Sequence, residues 1–143
     1  MNMLVAEQNI IDRINSLITG FTTVGNPSII AGLRDIGPLL PGCFVMPGPG
    51  EISAQERNKA GAVEEQEWTL IIIVGHQYDD ASDGITEAIA GGLMADCIAA
   101  LSGWHPGSGF IRPFVYAGRE APTYGLGYAE FPLTFTIKKL VGI

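Results

Sequence analysis

The feature that most constrains the fold is residues 63–76, which predict the strongest strand in the chain. The first half alternates polar with apolar residues, placing Trp68 on one face and Glu65 and Glu67 on the other. The second half, residues 70–74, is apolar at every position, a pattern typical of a strand that is covered on both faces. One cover would be helices, and the other could be a neighbouring subunit.

Two further segments predict helices. Residues 3–19 place apolar side chains at helical spacing, so that they form one stripe. Residues 85–101 follow a turn rich in Asp, whose carboxylates can cap the first turn of a helix. Within the second helix, Gly91 and Gly92 each cost about 1 kcal/mol relative to alanine, which predicts that something approaches this helix backbone closely.

Three weaker segments predict strands, at residues 43–46, 110–116 and about 128–140. Pro113 favours an edge position for the middle one, because proline has no N–H to donate to a neighbouring strand. The order of elements predicts an α+β fold, with two helices packed on one face of a mostly antiparallel, roughly four-stranded sheet. We expect residues 1–143 to form a single domain, since 143 residues is an ordinary domain size.

Residues 47–62 form the most polar segment of the chain, and we expect a long polar arm here. The segment has no apolar face of its own and is too long for a hairpin loop. Loops above about 12–15 residues are usually functional or disordered. Two interpretations stay open: a mobile solvated loop, and an arm that becomes ordered against a partner.

Composition excludes several classes of protein. The chain is 47% hydrophobic and 16% charged, which excludes a disordered chain. With a net charge of -7, the chain lacks the cluster of basic residues that nucleic-acid binding needs. The longest apolar run, residues 70–74, is too short to cross a bilayer, and residues 1–14 lack the basic start of a signal peptide. We therefore expect folding in the cytosol, with Cys43 and Cys97 as free thiols.

The best candidate metal ligands are His76, Asp79, Asp80 and Asp83, which lie in one predicted turn. Their spacing does not match a calcium loop, because the alternate positions would require an oxygen ligand at Ala81. A histidine among carboxylates in a turn is usually solvated, with the acids capping the helix that follows. We therefore predict no metal site.

Nothing in the sequence predicts a catalytic centre. The GxSxG motif is absent, His105 lies in a turn, and a pair between His105 and a cysteine could form only through folding. Free cysteines such as Cys43 and Cys97 are more often small core residues than nucleophiles. The glycine-rich stretches do not lie between a strand and a helix N-terminus, so they predict turns rather than phosphate sites. We expect no enzyme activity and no cofactor.

Basic residues are few, and scattered solvated charges are the default interpretation. Arg57 and Lys59 nevertheless lie on the polar arm, and Glu64, Glu65 and Glu67 form an acidic block directly after it. Oppositely charged patches can steer subunits together and set their register in a ring. The alternative is therefore that the bases of one molecule meet the acids of the next.

The succession of segments resembles a known family. An amphipathic helix leads into a Gly/Pro-rich stretch and a polar arm, followed by an acidic-to-apolar strand at 64–74, EEQEWTLIIIV. A capped helix and two strands complete the chain, the last of which contains YAEFPLTF at 128–135. This pattern resembles the small tail terminator, or tail completion, proteins of long-tailed bacteriophages, in particular the Mu-like family, over nearly the whole chain.

The resemblance implies a structural virion protein rather than an enzyme. Such proteins assemble as hexameric rings on the head-proximal end of the tail tube, where they end polymerisation of the tube protein and offer a surface to the head–tail connector protein. The implied location is the head-proximal end of the tail in the virion, after assembly in the host cytoplasm. DNA would pass through the lumen without specific binding, since a lumen lined by acids repels it, and neither a membrane nor a cofactor is implied.

The resemblance also implies roles for two segments. Residues 47–62 would contact another subunit or the tube, and residues 63–74 would form an interface sheet. Catalytic residues are not implied. The predicted subunit or tube interface consists of Glu51, Arg57, Lys59, Glu64, Glu65, Glu67, Ile71 and Ile73.

Two other functions stay open. One is another neck or tail component, such as a head–tail adaptor or a tube-like protein, although tube subunits generally have fewer helices. The other is a small metal-dependent hydrolase that uses His76 and Asp79.

Overall fold

The computed structural model of the chain describes residues 2–52, 62–75, 85–125 and 127–141. The described residues form two α-helices and a six-stranded sheet. The helices are α1 (Val5–Leu17) and α2 (Ile85–Leu101). The strands are β1 (Thr23–Gly25), β2 (Gly42–Ile52), β3 (Ala62–Gly75), β4 (Val115–Arg119), β5 (Thr123–Tyr124) and β6 (Tyr128–Val141).

The sheet has the order β1-β2-β3-β6-β4, and β5 also pairs with β6. β1 runs parallel to β2, whereas every other pair is antiparallel. The α+β class is therefore confirmed, but the predicted size of roughly four strands is wrong, because the sheet is mixed and has six strands. The additional strands β1 and β5 are only three and two residues long, too short to show the alternation by which a strand is recognised in a sequence.

The two longest strands form the centre of the sheet. β3 and β6 pair along their whole length, from Ala62 opposite Val141 to Gly75 opposite Tyr128. Both agree with the predicted strands to within a residue, and α2 has the predicted bounds. The predicted strand at 110–116 is displaced, because β4 begins only at Val115. The preceding residues bend instead, as Phe114 exchanges backbone hydrogen bonds with the turn after α2.

Residues 47–52 are strand rather than loop, because they continue β2 and pair with β3. The pairing is irregular between Pro47 and Gly50 and then resumes, with Glu51 opposite Glu65. The two prolines and two glycines of this stretch are typical of a turn, which explains why its strand character was missed. The rest of the predicted polar arm, residues 53–61, lies outside the described residues.

Both helices pack on one face of the sheet, which we call the helix face. Its central side chains from β3, Trp68, Leu70 and Ile72, are fully buried, as are Ile10 and Ile14 of α1. α2 adds further apolar side chains to the same core, which also includes alternate residues of β6. Burial of each large apolar side chain contributes about 1.5–3 kcal/mol, so the helix face is the main source of stability within the chain.

A chain of polar contacts ties the N-terminus of α1 to the core. Trp68 Nε1 donates a hydrogen bond to Gln66 Oε1 at 3.2 Å. Gln66 Nε2 in turn donates to Met3 O at 2.8 Å and to Glu64 Oε1 at 3.0 Å. Burial of the Gln66 amide is therefore compensated by these hydrogen bonds.

Neither helix in the part of the chain that the structure describes is long and apolar enough to cross a membrane.

Candidate functional site

The opposite face of the sheet, which we call the outer face, collects most of the predicted interface residues. Glu65, Glu67, Ile71 and Ile73 alternate with the helix-face residues of β3 and therefore point outward. Glu51 of β2 lies opposite Glu65 in the register, and so it shares this face. The structure thus brings together residues that the sequence alone could place only on separate segments.

The other predicted interface residues do not join this group. Glu64 lies on the helix side of β3, where its carboxylate accepts the hydrogen bond from Gln66. Arg57 and Lys59 lie outside the described residues, as do the candidate metal ligands His76, Asp79, Asp80 and Asp83. Among the residues that the structure does describe, no group of three or more side chains could hold a metal ion.

One end of the outer face is acidic. Glu51, Glu65 and Glu67 line a surface depression of about 310 Å³, with Pro49 and Thr136 at its edges. Like charges opposite one another on neighbouring strands are destabilising, so the pairing of Glu51 with Glu65 has a cost in the isolated chain. A basic group placed in this depression would remove that cost.

Glu65 already has a basic partner within the chain. Arg112 Nη2 lies 2.8 Å from Glu65 Oε1, and Lys138 of β6 is the register neighbour of Glu65 on the other side. The sequence does not predict the contact of Arg112 with Glu65. Arg112 precedes β4, and it comes close to Glu65 of β3 only because β6 lies between these two strands in the sheet. No local pattern predicts a contact between residues so far apart in the sequence.

The middle of the outer face, which we call the central patch, is uncharged and partly open to solvent. Thr69, Ile71, Pro132 and Thr134 are half-buried, and Met46 is 37% exposed. Register neighbours bring them together, since Thr69 lies opposite both Met46 and Thr134. The central patch is a surface of β-branched and apolar side chains, which suits packing against another protein.

The remaining end of the outer face is covered. Phe44 and Ile73 are each 1% exposed, although neither belongs to the helix-face core. Ile73 was predicted to lie at an interface, and its register neighbours Gly42 and Glu130 lie against the segment between β1 and β2. The second half of β3 was predicted to be covered on both faces of the sheet. Part of it is thus covered on both faces within the chain itself.

The candidate nucleophiles and bases that the structure describes, His105, Cys43 and Cys97, are engaged in structural contacts or buried. His105 Nδ1 accepts a hydrogen bond from the Gly107 N–H at 3.2 Å, and Nε2 lies 3.0 Å from the Phe110 carbonyl oxygen, which assigns the proton to Nε2. Cys43 and Cys97, both predicted to be free thiols, are free and fully buried. The hydrogen bond to Cys97, together with burial, raises the pKa of the Cys43 thiol, so the reactive thiolate is suppressed.

An apolar groove of about 400 Å³ runs between α2 and the strands β4 and β5. Tyr124 closes one end, where its hydroxyl donates a hydrogen bond to Glu87 Oε1 at 2.8 Å, and this bond raises the pKa of Tyr124. Gly91 borders the groove. Apart from α2 itself, no described atom lies within 4 Å of where a Cβ would stand at Gly91 or Gly92. The predicted close approach to this helix does not occur within the described part of the chain.

Comparison with solved structures identifies the class of fold. A chain from the "Virion of native gene transfer agent (GTA) particle" matches with a TM-score of 0.59 and 14% sequence identity, over 98% of this chain and 99% of that chain. At this identity the likeness shows a shared fold. No curated protein matches the sequence.

The sequence identifies the family. The model of the phage tail terminator protein family matches residues 1–143, and the chain belongs to that family. It is therefore a structural protein of the bacteriophage tail, located in the virion. Phage tail proteins of this kind are not a class of enzyme.

Proposed function

We propose that this protein forms a ring, a hexamer in line with the resemblance, that caps the head-proximal end of the tail tube. The ring ends polymerisation of the tube protein and offers a surface to the head–tail connector protein. The observation that carries the proposal is membership of the tail terminator family over the full chain. Assembly would take place in the host cytoplasm, before head and tail join.

We infer that the outer face is the surface through which copies meet each other or the tube. Stability within the chain comes from the helix face, so the central patch and the acidic end are available for a partner without loss of the core. A β-sheet surface offers contacts at low conformational cost, because its side chains are already ordered. Such a surface suits a ring, in which each subunit contacts two neighbours.

Charge complementarity supports a second copy of this chain as the partner of the acidic end. Glu51, Glu65 and Glu67 converge on one depression, and the segment that links β2 to β3 carries Arg57 and Lys59. In a head-to-tail ring, the bases of one subunit would reach the acids of the next. The pairs would steer association and set register more than they would add affinity.

The acidic balance of the chain also suits a ring through which DNA passes. With a net charge of -7, a lumen lined by this protein repels phosphate rather than binding it. Specific DNA recognition has no place in this function. A ring structure with a continuous basic lining would contradict this part of the proposal.

The direct test is electron microscopy of tails made without this protein. Without the cap, we expect abnormally long tubes that carry no heads. Supplying the wild-type chain in trans should restore tails of normal length. Tails of normal length in the absence of the protein would reject a role in termination. Tails of normal length without heads would instead assign the protein to head attachment alone.

A further inference from the structure

The segment between β1 and β2 crosses the outer face as a strap, which we define as residues 27–39. At its start the end of the Ile29 side chain packs over Gly25 of β1, where a Cβ would stand. At its end the Leu39 carbonyl lies 3.3 Å from the position that a Cβ would take on Gly42. Between these points the strap and the first residues of β6, Tyr128 and Glu130 among them, line a partly open cleft of about 300 Å³.

The strap lies over the end of the outer face that holds Phe44 and Ile73, each 1% exposed. In the register, Ile73 lies between Gly42 on β2 and Glu130 on β6, both of which lie against the strap. The Phe44 ring contacts the same point above Gly42, at 2.7 Å from the position of a Cβ. The strap therefore excludes water from two large apolar side chains that the helices do not reach.

The strap itself is weakly held. Within the described part of the chain, every hydrogen bond of residues 27–39 ends on residues 26–40. The tethers lie outside the strap, where Thr22 bonds the carbonyls of Leu40 and Pro41 and Asn26 bonds Glu7. No strap residue is buried, and Ile29 and Leu33 are 44% and 50% exposed.

We propose that the strap opens as a unit, hinged at Asn26 and at the tether of Thr22 to Leu40, and uncovers Phe44 and Ile73 while the rest of the sheet stays folded. Among the residues that the structure describes, opening breaks no hydrogen bond to the sheet or the helices, and its cost is the exposure of apolar surface. Segments with few buried contacts open at free energies below that of global unfolding. The outer face then has two states, and the open state adds Phe44 and Ile73 to the central patch.

A closed strap limits the apolar area that the free subunit exposes, which protects it from premature association. The opening is a property of the isolated chain. Its test therefore does not depend on whether the protein terminates tails.

Thiol labelling of an Ile73→Cys variant tests the proposal. The variant is treated with a maleimide under native conditions, and labelling at each site is followed by peptide mass spectrometry. The natural Cys43 and Cys97, fully buried on the helix face, serve as internal reporters of global unfolding. We expect the new thiol to react about tenfold or more faster than either, with a rate that barely changes at low urea concentrations.

The matched control is Ile72→Cys, on the same strand but on the helix face and equally buried. Its thiol should react at the slow rate of Cys43 and Cys97. Adding Ile29→Ala to Ile73→Cys removes the contact over Gly25 and should accelerate labelling at position 73 severalfold, without changing the natural thiols. Labelling at position 73 with the same rate and urea dependence as the natural thiols would overturn the proposal.

Discussion

The two faces of the same sheet are held by different means. On the helix face Trp68 and Ile72 are completely buried beneath two helices, whereas Thr69 and Ile71, their neighbours along β3, are only half-buried. One face is a closed core that holds the subunit together. The other has an acidic end, an open central patch and an end that, within the described residues, lies under the strap.

This difference between the two faces means that the stability of the subunit and its capacity to assemble depend on different residues. A protein that joins a larger structure must fold first and still present a surface on which partners can pack. Because a single face contributes most of the burial, the opposite face can vary in charge and shape without unfolding the chain. Substitutions on the two faces should therefore have different consequences.

The largest difference is expected between adjacent residues 68 and 69. Trp68→Ala should lower the free energy of unfolding by about 3–5 kcal/mol, because it leaves a cavity and removes the bond to Gln66. Thr69→Ala should lower it by less than about 1 kcal/mol. Urea unfolding followed by circular dichroism measures both. Similar losses from the two variants would show that the outer face is as closed as the helix face.

A rise in pH should lower the free energy of unfolding by an intermediate amount, because of the buried Cys43 thiol on the helix face. The raised pKa of Cys43 means that the folded state keeps the thiol protonated, whereas the unfolded chain ionises above about pH 8.5. The contribution of this thiol to the free energy of unfolding is therefore fully present below pH 8.5. It is lost as the pH rises toward the folded-state pKa of the thiol. Between pH 7.5 and 9.5 the loss from this group should be about 1.4 kcal/mol.

The matched variant for this prediction is Cys43→Ala. Its stability is lower at every pH because of the lost packing, but its decline between pH 7.5 and 9.5 should be smaller by the contribution of the missing thiol. The readout is the difference in pH dependence between variant and wild type in urea unfolding. Equal declines would show that the thiol does not titrate differently in the two states.

The smallest effect is expected at the acidic end of the outer face. Arg112→Gln removes the ion pair with Glu65, whose two side chains are 38% and 43% exposed. Exposed pairs contribute about 0.2–1 kcal/mol and are screened by salt. The loss should therefore stay below about 1 kcal/mol and shrink in high salt. A loss of several kcal/mol would mean that the outer face contributes to the fold as the helix face does.

Sequence reasoning succeeded where one strand or helix carries its own pattern. β6 alternates throughout, β3 alternates before its apolar run, and α2 follows a capping turn; the predicted bounds of all three agree with the structure to within a residue. β1 and β5 are too short to show any pattern, and residues 47–52 of β2 are strand only because β3 pairs with them. The family resemblance rested on the same long elements, and the family is confirmed.

The candidate site could be predicted only in part. Alternation along β3 correctly separates Glu65, Glu67 and Ile71 from the helix face, but it cannot reveal that Ile73 lies beneath the strap. That cover comes from a segment about forty residues earlier, whose glycines and prolines show no periodicity. The contact of Arg112 with Glu65 likewise depends on the sheet order, which local patterns do not contain.

The most direct test of the central claim is ring assembly of a Thr69→Arg variant, followed by sedimentation velocity with the purified tail tube protein of the same phage. Arginine at position 69 places a charge in the central patch, whereas Asn15→Arg, on the exposed surface of α1, serves as the matched control. We predict that the wild type and Asn15→Arg assemble with the tube, while Thr69→Arg stays monomeric with an unchanged unfolding midpoint. Assembly of Thr69→Arg equal to that of the wild type would contradict a role for the outer face in forming the ring.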